Sequence, residues 1–157
     1  MKLDSAQPSS FKNSDMSKEA VLVNAALRYI KQLEGARSPH AEVAILGRSA
    51  DLAFLLGGDL VTVECKVADW RKAIRQARDH KIVADFAYIC LCWRKLTESL
   101  LAATSSEGIG VVLWNERDDT FEVAIPARRS ERPWLVVRQD IIGRLLSDTP
   151  YPTQLDR

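Results

Sequence analysis

Two acidic residues and a lysine in this chain are spaced so that they could hold a divalent cation and present it to phosphate oxygens: Asp51, Glu64 and Lys66. Between the two acids lie two apolar runs separated by Gly57-Gly58, a pair suited to the positive φ angles of a two-residue hairpin turn. Counting outward from those glycines sets Leu56 opposite Asp59, Phe54 opposite Val61, Leu52 opposite Val63 and Asp51 opposite Glu64. Directly opposed residues project from the same side of a sheet. One face then carries Leu52, Phe54, Leu56, Val61, Val63 and Cys65, a core face. The other carries Asp51, Ala53, Leu55, Leu60, Thr62, Glu64 and Lys66, its charged groups far from the turn. Opposed carboxylates destabilise a strand pair. Lys66 offsets part of that repulsion, and a cation between the acids would offset more. Mg²⁺ takes one or two carboxylates, keeps waters and completes its shell with substrate phosphate. The plainer alternative is a solvated strand end with Lys66 as a surface ion pair.

Residues 18–34 have the periodicity of a helix, with Ser17 as its cap and Gly35 as its stop. Glu19 falls within the apolar stripe of Val23, Ala26 and Ile30. A carboxylate there either favours the helix N-terminus electrostatically or reaches over the sheet as a third acid of the site. Glu42, at the start of the next strand, is its rival for that place.

The remaining pattern gives strands at 41–46, 51–56 and 60–67, a helix at 69–83, a buried strand at 86–92 and a helix at 96–104. Strands at 110–115 and 120–125 follow, then a basic loop at 128–133, a short extended piece at 134–137 and a helix at 139–146. The expected fold is α/β, an αβββαβ core with a mixed central sheet flanked by helices. The expected organisation is a flexible lead-in at 1–16, one domain at 17–147 and an irregular tail at 148–157. The 157 residues suffice for one core. No apolar run is long enough to span a bilayer and the N-terminus lacks an apolar signal segment, so a cytoplasmic protein is expected. The three cysteines lie in apolar, strand-like segments, which suits reduced, buried thiols better than a zinc site. A net charge of +1 counts against a module that binds nucleic acid by charge alone.

Together these residues resemble the PD-(D/E)XK phosphodiesterase superfamily of restriction endonucleases, Holliday-junction resolvases and RecB-type nuclease domains. The resemblance rests on Glu19 in the leading helix, Asp51 in Ser49-Ala50-Asp51-Leu52, Glu64-Cys65-Lys66 and Gln76 in Arg75-Gln76-Ala77. Asp85-Phe86-Ala87-Tyr88, leading into a strand, is similar to the segment that follows in those domains. Ala50 stands where many members have proline. The resemblance implies a metal-dependent nuclease acting on DNA or RNA. Asp51, Glu64, the Cys65 carbonyl and Glu19 would hold Mg²⁺ or Mn²⁺, Lys66 would orient the attacking water, and Gln76 would position substrate or the lysine. It also admits a catalytically silent or partner-dependent subunit, a homodimer, or work with a larger protein partner. Arg71, Arg75 and Arg78, on one side of the second helix, are candidate contacts to a nucleic-acid backbone. Arg128, Arg129 and Arg132 form a second candidate patch. Gln76 and these arginines read equally as solvated surface. His40 and His80 receive no role.

Overall fold

A computed structural model describes residues 10–147, with side chains from residue 18 onward. The elements in chain order are α1 (Ser10–Gln32), β1 (Ala36–Ile45), β2 (Arg48–Leu56), β3 (Asp59–Lys66), α2 (Trp70–His80), β4 (Phe86–Cys92), α3 (Glu98–Glu107), β5 (Gly110–Asn115), β6 (Thr120–Ile125) and α4 (Leu135–Leu146). The expected αβββαβ order is present. The six strands form one sheet in the order β1-β2-β3-β4-β5-β6. The first three are antiparallel, β3-β4-β5 are parallel, and β6 closes the sheet antiparallel to β5. The parallel pairs need crossovers: α2 joins β3 to β4, and α3 joins β4 to β5.

The hairpin has the register counted from the glycines, with Leu56 opposite Asp59, Phe54 opposite Val61 and Leu52 opposite Val63. Gly57 and Gly58 have φ of 57° and 87°, where side chains are disfavoured and glycine is not. Strand alternation then sends Leu52, Phe54, Val61, Val63 and Cys65 to a core shared with Leu22, Ala25, Ala26 and Ile30 of α1. Ala53, Leu55 and Leu60 face the other way, toward Ile141 and Leu145 of α4. On that second face α2 and α3 cover Ala87, Ile89, Leu91, Val111 and Leu113. Helices therefore cover both faces of the mixed sheet.

Several boundaries differ from expectation for identifiable reasons. The first helix begins at Ser10 rather than 18, so Ser17 is interior and not a cap. Residues 10–17 contain neither glycine nor proline, and polar residues cost a helix only tenths of a kcal/mol each. The rest of the expected lead-in, residues 1–9, and the expected tail, 148–157, lie outside the described residues. β1 begins at Ala36, five residues early, and its register shifts between Arg37 and His40. Pro39 sits inside that irregularity, which an edge strand tolerates because no partner needs the missing N–H. α2 stops at His80 rather than 83. Of the extended piece expected at 134–137, Trp134 is extended as the N-cap and residues 135–137 are instead the first turn of α4. Val137, Ile141 and Leu145 share one helical face against the sheet, and that spacing overrides the β-branched valines.

The turn end of β3 is anchored by Asp85, which is 5% exposed. Its carboxylate accepts from the Leu60 N–H at 2.7 Å and Arg138 Nε at 2.9 Å, and its carbonyl accepts from the Ser130 N–H at 2.8 Å. One residue thus ties β3, the loop before α4 and α4 itself. Removing one partner of a buried charge pair costs about 3–5 kcal/mol. Asp85→Ala is expected to lower stability by about 3 kcal/mol in urea unfolding, and a loss below about 0.5 kcal/mol would show that Asp85 is not the anchor.

Candidate active site

At the other end of β3 the strands part. The regular pairing of β2 with β3 ends at Leu52 and Val63, and Asp51 has no partner in the regular register of either neighbouring strand. Side chains replace the ladder there. Asp51 Oδ2 accepts from the Cys65 N–H at 2.7 Å, and Glu64 Oε1 accepts from the Asp51 N–H at 3.4 Å. Each acid therefore takes a backbone donor beside the other acid, so satisfying the splayed backbone forces the carboxylates together. The two side chains lie close enough for Asp51 to bear on the ionisation of Glu64.

Two carboxylates brought this close disfavour each other's ionised form. Glu64 is 1% exposed. Burial first, and then the adjacent Asp51, push its pKa up to about 9. The solvated strand end weighed from the sequence is therefore not what the fold contains, because α2 covers Glu64. Lys66, at the end of the strand, donates from Nζ to Glu19 Oε1 at 2.5 Å. Partial burial of Lys66 works against its charge, but Glu19, Asp51 and Glu64 outweigh that and hold its pKa above the ordinary lysine value. Glu19 lies nine residues into α1, so the helix N-terminus does not account for it. Glu42 is exposed on β1 with φ 52°. Between the two acids weighed for the third position, Glu19 is the one in contact with Lys66.

The fold thus brings Glu19, Asp51, Glu64 and Lys66 into one connected group. Cys65, between the last two, sends its side chain to the α1 core, where a hydrogen bond to Cys90 and burial raise its thiol pKa well above normal. Gln76 is half-buried on α2, and its Oε1 is buried without a hydrogen-bond partner. One turn further along α2 is His80, which the sequence analysis left without a role. It is 2% exposed, and its Nδ1 lies 3.4 Å from Glu64 Oε1. Burial pushes its pKa down to about 4, so at neutral pH this contact is not an ion pair. The position was readable: His80 continues the buried stripe of Trp70, Ala73, Ile74 and Ala77.

The arginines divide into two locations. Arg71, Arg75 and Arg78 are exposed on α2, with Arg71 over the Trp70 ring at 4.1 Å and Arg78 3.6 Å from Glu107. Arg128 and Arg129 belong to the turn end of β3. Arg129 grips both oxygens of Asp59 at 2.8 Å, and Arg128 donates to the Ser105 carbonyl at 2.5 Å. From Asp59 to Glu64 the strand spans about 17 Å at about 3.3 Å per residue, so this patch is remote from the acid pair.

Among the described residues, no group of three or more His, Cys, Asp and Glu side chains is arranged to hold a metal ion. The donor set that does exist is two opposed carboxylates with a backbone carbonyl between Glu64 and Lys66. Mg²⁺, which needs only one or two carboxylates, fits such a set. Among the described residues no helix is long and apolar enough to cross a membrane.

No model of a known protein family matches the chain. No curated protein matches it in sequence. Solved structures do share its fold. A protein of unknown function from Silicibacter pomeroyi is similar over 79% of this chain and 80% of its own, at 16% identity and a TM-score of 0.60. An XisH family protein from Nostoc punctiforme is similar over 68% of this chain and 98% of its own, at 11% identity and a TM-score of 0.50. A structure of EndoMS in complex with double-stranded DNA is similar over 73% of this chain and 49% of that one, at 17% identity and a TM-score of 0.44.

The proton on Glu64 has a thermodynamic signature. An ordinary glutamate titrates near 4.5 and this one at about 9, so the folded protein holds more protons than the unfolded chain between those values. Glu64's contribution to stability is then complete below pH 4.5 and is lost as pH rises toward about 9. Glu64→Gln cannot ionise and removes that slope. In EDTA, the urea midpoint of wild type is expected to fall relative to Glu64→Gln as pH rises through this window. Parallel profiles would show that the buried proton is absent.

Proposed function

We propose that the chain is a metal-dependent phosphodiesterase acting on nucleic acid, a nuclease of the PD-(D/E)XK type. The observation that carries this reading is the joining of Asp51 and Glu64 at the splayed strand end, beside Lys66. Holding two acids together in a covered site costs stability, and the backbone donors of Cys65 and Asp51 return part of that cost without supplying a full opposite charge. By contrast, the buried Asp85 is matched by an arginine and two backbone contacts.

In this reading Asp51, Glu64 and the Cys65 carbonyl hold Mg²⁺ or Mn²⁺, with Glu19 near enough to act through water. Bound there, the ion would polarise the phosphodiester and lower the pKa of a water. Lys66 donates from Nζ toward the attacking water and the phosphoryl oxygens, where negative charge grows. Glu19 holds that ammonium in place until substrate competes for it. Gln76 offers its unpaired Oε1 to substrate or to the lysine. Arg71, Arg75 and Arg78 flank the site on α2 and suit a sugar-phosphate backbone. Arg128 and Arg129 would meet only a longer substrate. DNA is the preferred substrate class, the chain 17–147 is one catalytic domain, and the setting is cytoplasmic.

One observation favours the second reading, a partner-dependent subunit. Glu64 is 1% exposed while Asp51 is half-buried, so the second acid opens fully only when α2 or the end of β3 shifts. A protein partner, or a second copy of the chain, would supply that shift as well as substrate would.

Linear, circular, single-stranded and branched DNA, and RNA, would each be incubated with the protein in Mg²⁺, Mn²⁺ or EDTA. Cleavage is expected with either metal and none in EDTA. Lys66→Ala is expected to slow it by about 10²–10³-fold, the usual cost of one transition-state donor, and Asp51→Ala by at least as much. Cleavage that survives both substitutions would refute the assignment. No cleavage of any substrate by wild type would move the weight to the partner-dependent reading.

A further inference from the structure

The surface between α2 and β3 holds more uncommitted polarity than packing explains. Thr62 and Glu64 lie on one face of β3, and Gln76 and His80 lie one turn apart on α2, which packs against that strand. Thr62 Oγ1, Gln76 Oε1 and His80 Nδ1 are all buried without a hydrogen-bond partner. A buried polar atom left unpaired costs about 1–3 kcal/mol, so an aliphatic residue at any of these positions would stabilise the fold. His80 is the clearest case. It is 2% exposed, at the end of a stripe otherwise made of Trp70, Ala73, Ile74 and Ala77.

The polar atom nearest to its Nδ1 that has a place in the site is Glu64 Oε1, at 3.4 Å. The same oxygen faces the Asp51 N–H, also at 3.4 Å. The Asp51 N–H donates to this oxygen and His80 Nδ1 stands beside it without completing a hydrogen bond, while Oε2 has neither contact. We propose that His80 is a positioning residue for Glu64. A small shift of the ring toward Oε1 lets Nδ1 donate to it and confine it, so that Oε2 is the oxygen left to bind a divalent cation. This rests on the metal-dependent reading of the site and extends it to α2. His80 touches neither cation nor substrate, and acts only through the carboxylate.

Carboxylates that bind metals are held by such outer hydrogen bonds, and losing one costs about 10–100-fold in metal affinity or activity. The test compares two variants of similar size that differ in where the side-chain N–H falls. His80→Asn places its amide near the position of Nδ1, whereas His80→Gln places it near that of Nε2. Mn²⁺ alone is titrated into the full chain and the free ion is followed by electron paramagnetic resonance, with thermal unfolding measured in parallel in EDTA. Wild type and His80→Asn are expected to bind Mn²⁺ within a few-fold of each other. His80→Gln is expected to bind about 10–100-fold more weakly, with an unfolding temperature close to that of the Asn variant. Equal affinity in the two variants, whether both strong or both weak, would overturn the role of His80. Failure of wild type to bind Mn²⁺ would instead overturn the metal site itself, so the two failures are told apart.

Discussion

Two carboxylates pressed together beneath a helix repel unless something carries one of their charges, and the hairpin of β2 and β3 gives Asp51 and Glu64 no choice about meeting. The turn at Gly57-Gly58 fixes the register as far as Leu52 and Val63, and the acids just beyond it meet through their side chains. Where the ladder ends, their oxygens take over the backbone donors of Cys65 and Asp51. The rest of the molecule is arranged around that meeting. α1 brings Glu19 to Lys66, α2 shuts Glu64 from water, and the parallel strands behind β3 keep it central in the sheet. Burial and the neighbouring Asp51 push the Glu64 pKa up to about 9, so at neutral pH a proton relieves the repulsion.

The two ends of β3 solve the problem of buried polarity in opposite ways. At the turn end two acids are matched with arginines: Asp85 with Arg138, Asp59 with Arg129. Arg129 holds the Asp59 carboxyl below the usual range. This end behaves as a clasp, with ions and backbone closing on themselves. At the far end the bonds are incomplete, and Gln76 and His80 have polar atoms with nothing to hold. Folded proteins satisfy nearly all such atoms, and here two of the exceptions lie on α2, on the side of the acid pair.

How much of this the sequence disclosed depended on how local the governing interaction was. The hairpin register was legible because two glycines and the alternation of Leu52 to Leu56 with Leu60 to Cys65 decide it within a few residues. The helical phase placed Glu19 on the sheet side for the same reason. The start of α1 was misread, because Ser17 has the type of a cap and only the chain before it shows that none is needed. Residues 135–137 were misread as extended, because Val136 and Val137 favour strands while the contacts that make them helical come from β1 and β2. His80 stood in the buried stripe of α2 and could have been singled out, but its contact with Glu64 depends on how that helix crosses the sheet. The remoteness of Arg129 likewise required the far end of β3 to be located in space.

The site also has two halves of unequal reach along the chain. Asp51 and Glu64 are separated by 13 residues and Glu19 and Lys66 by 47. Bringing the ends of the longer loop together costs about 1 kcal/mol more in chain entropy, and it needs α1 already docked on the sheet. The acid pair can therefore form as soon as the hairpin does, while the lysine is steadied only by the completed fold. An unfolding fluctuation that releases α1 would free Lys66 and leave the acids joined. Local opening of this kind would alter the basic side of the site first, and the acidic side only when the hairpin itself is lost.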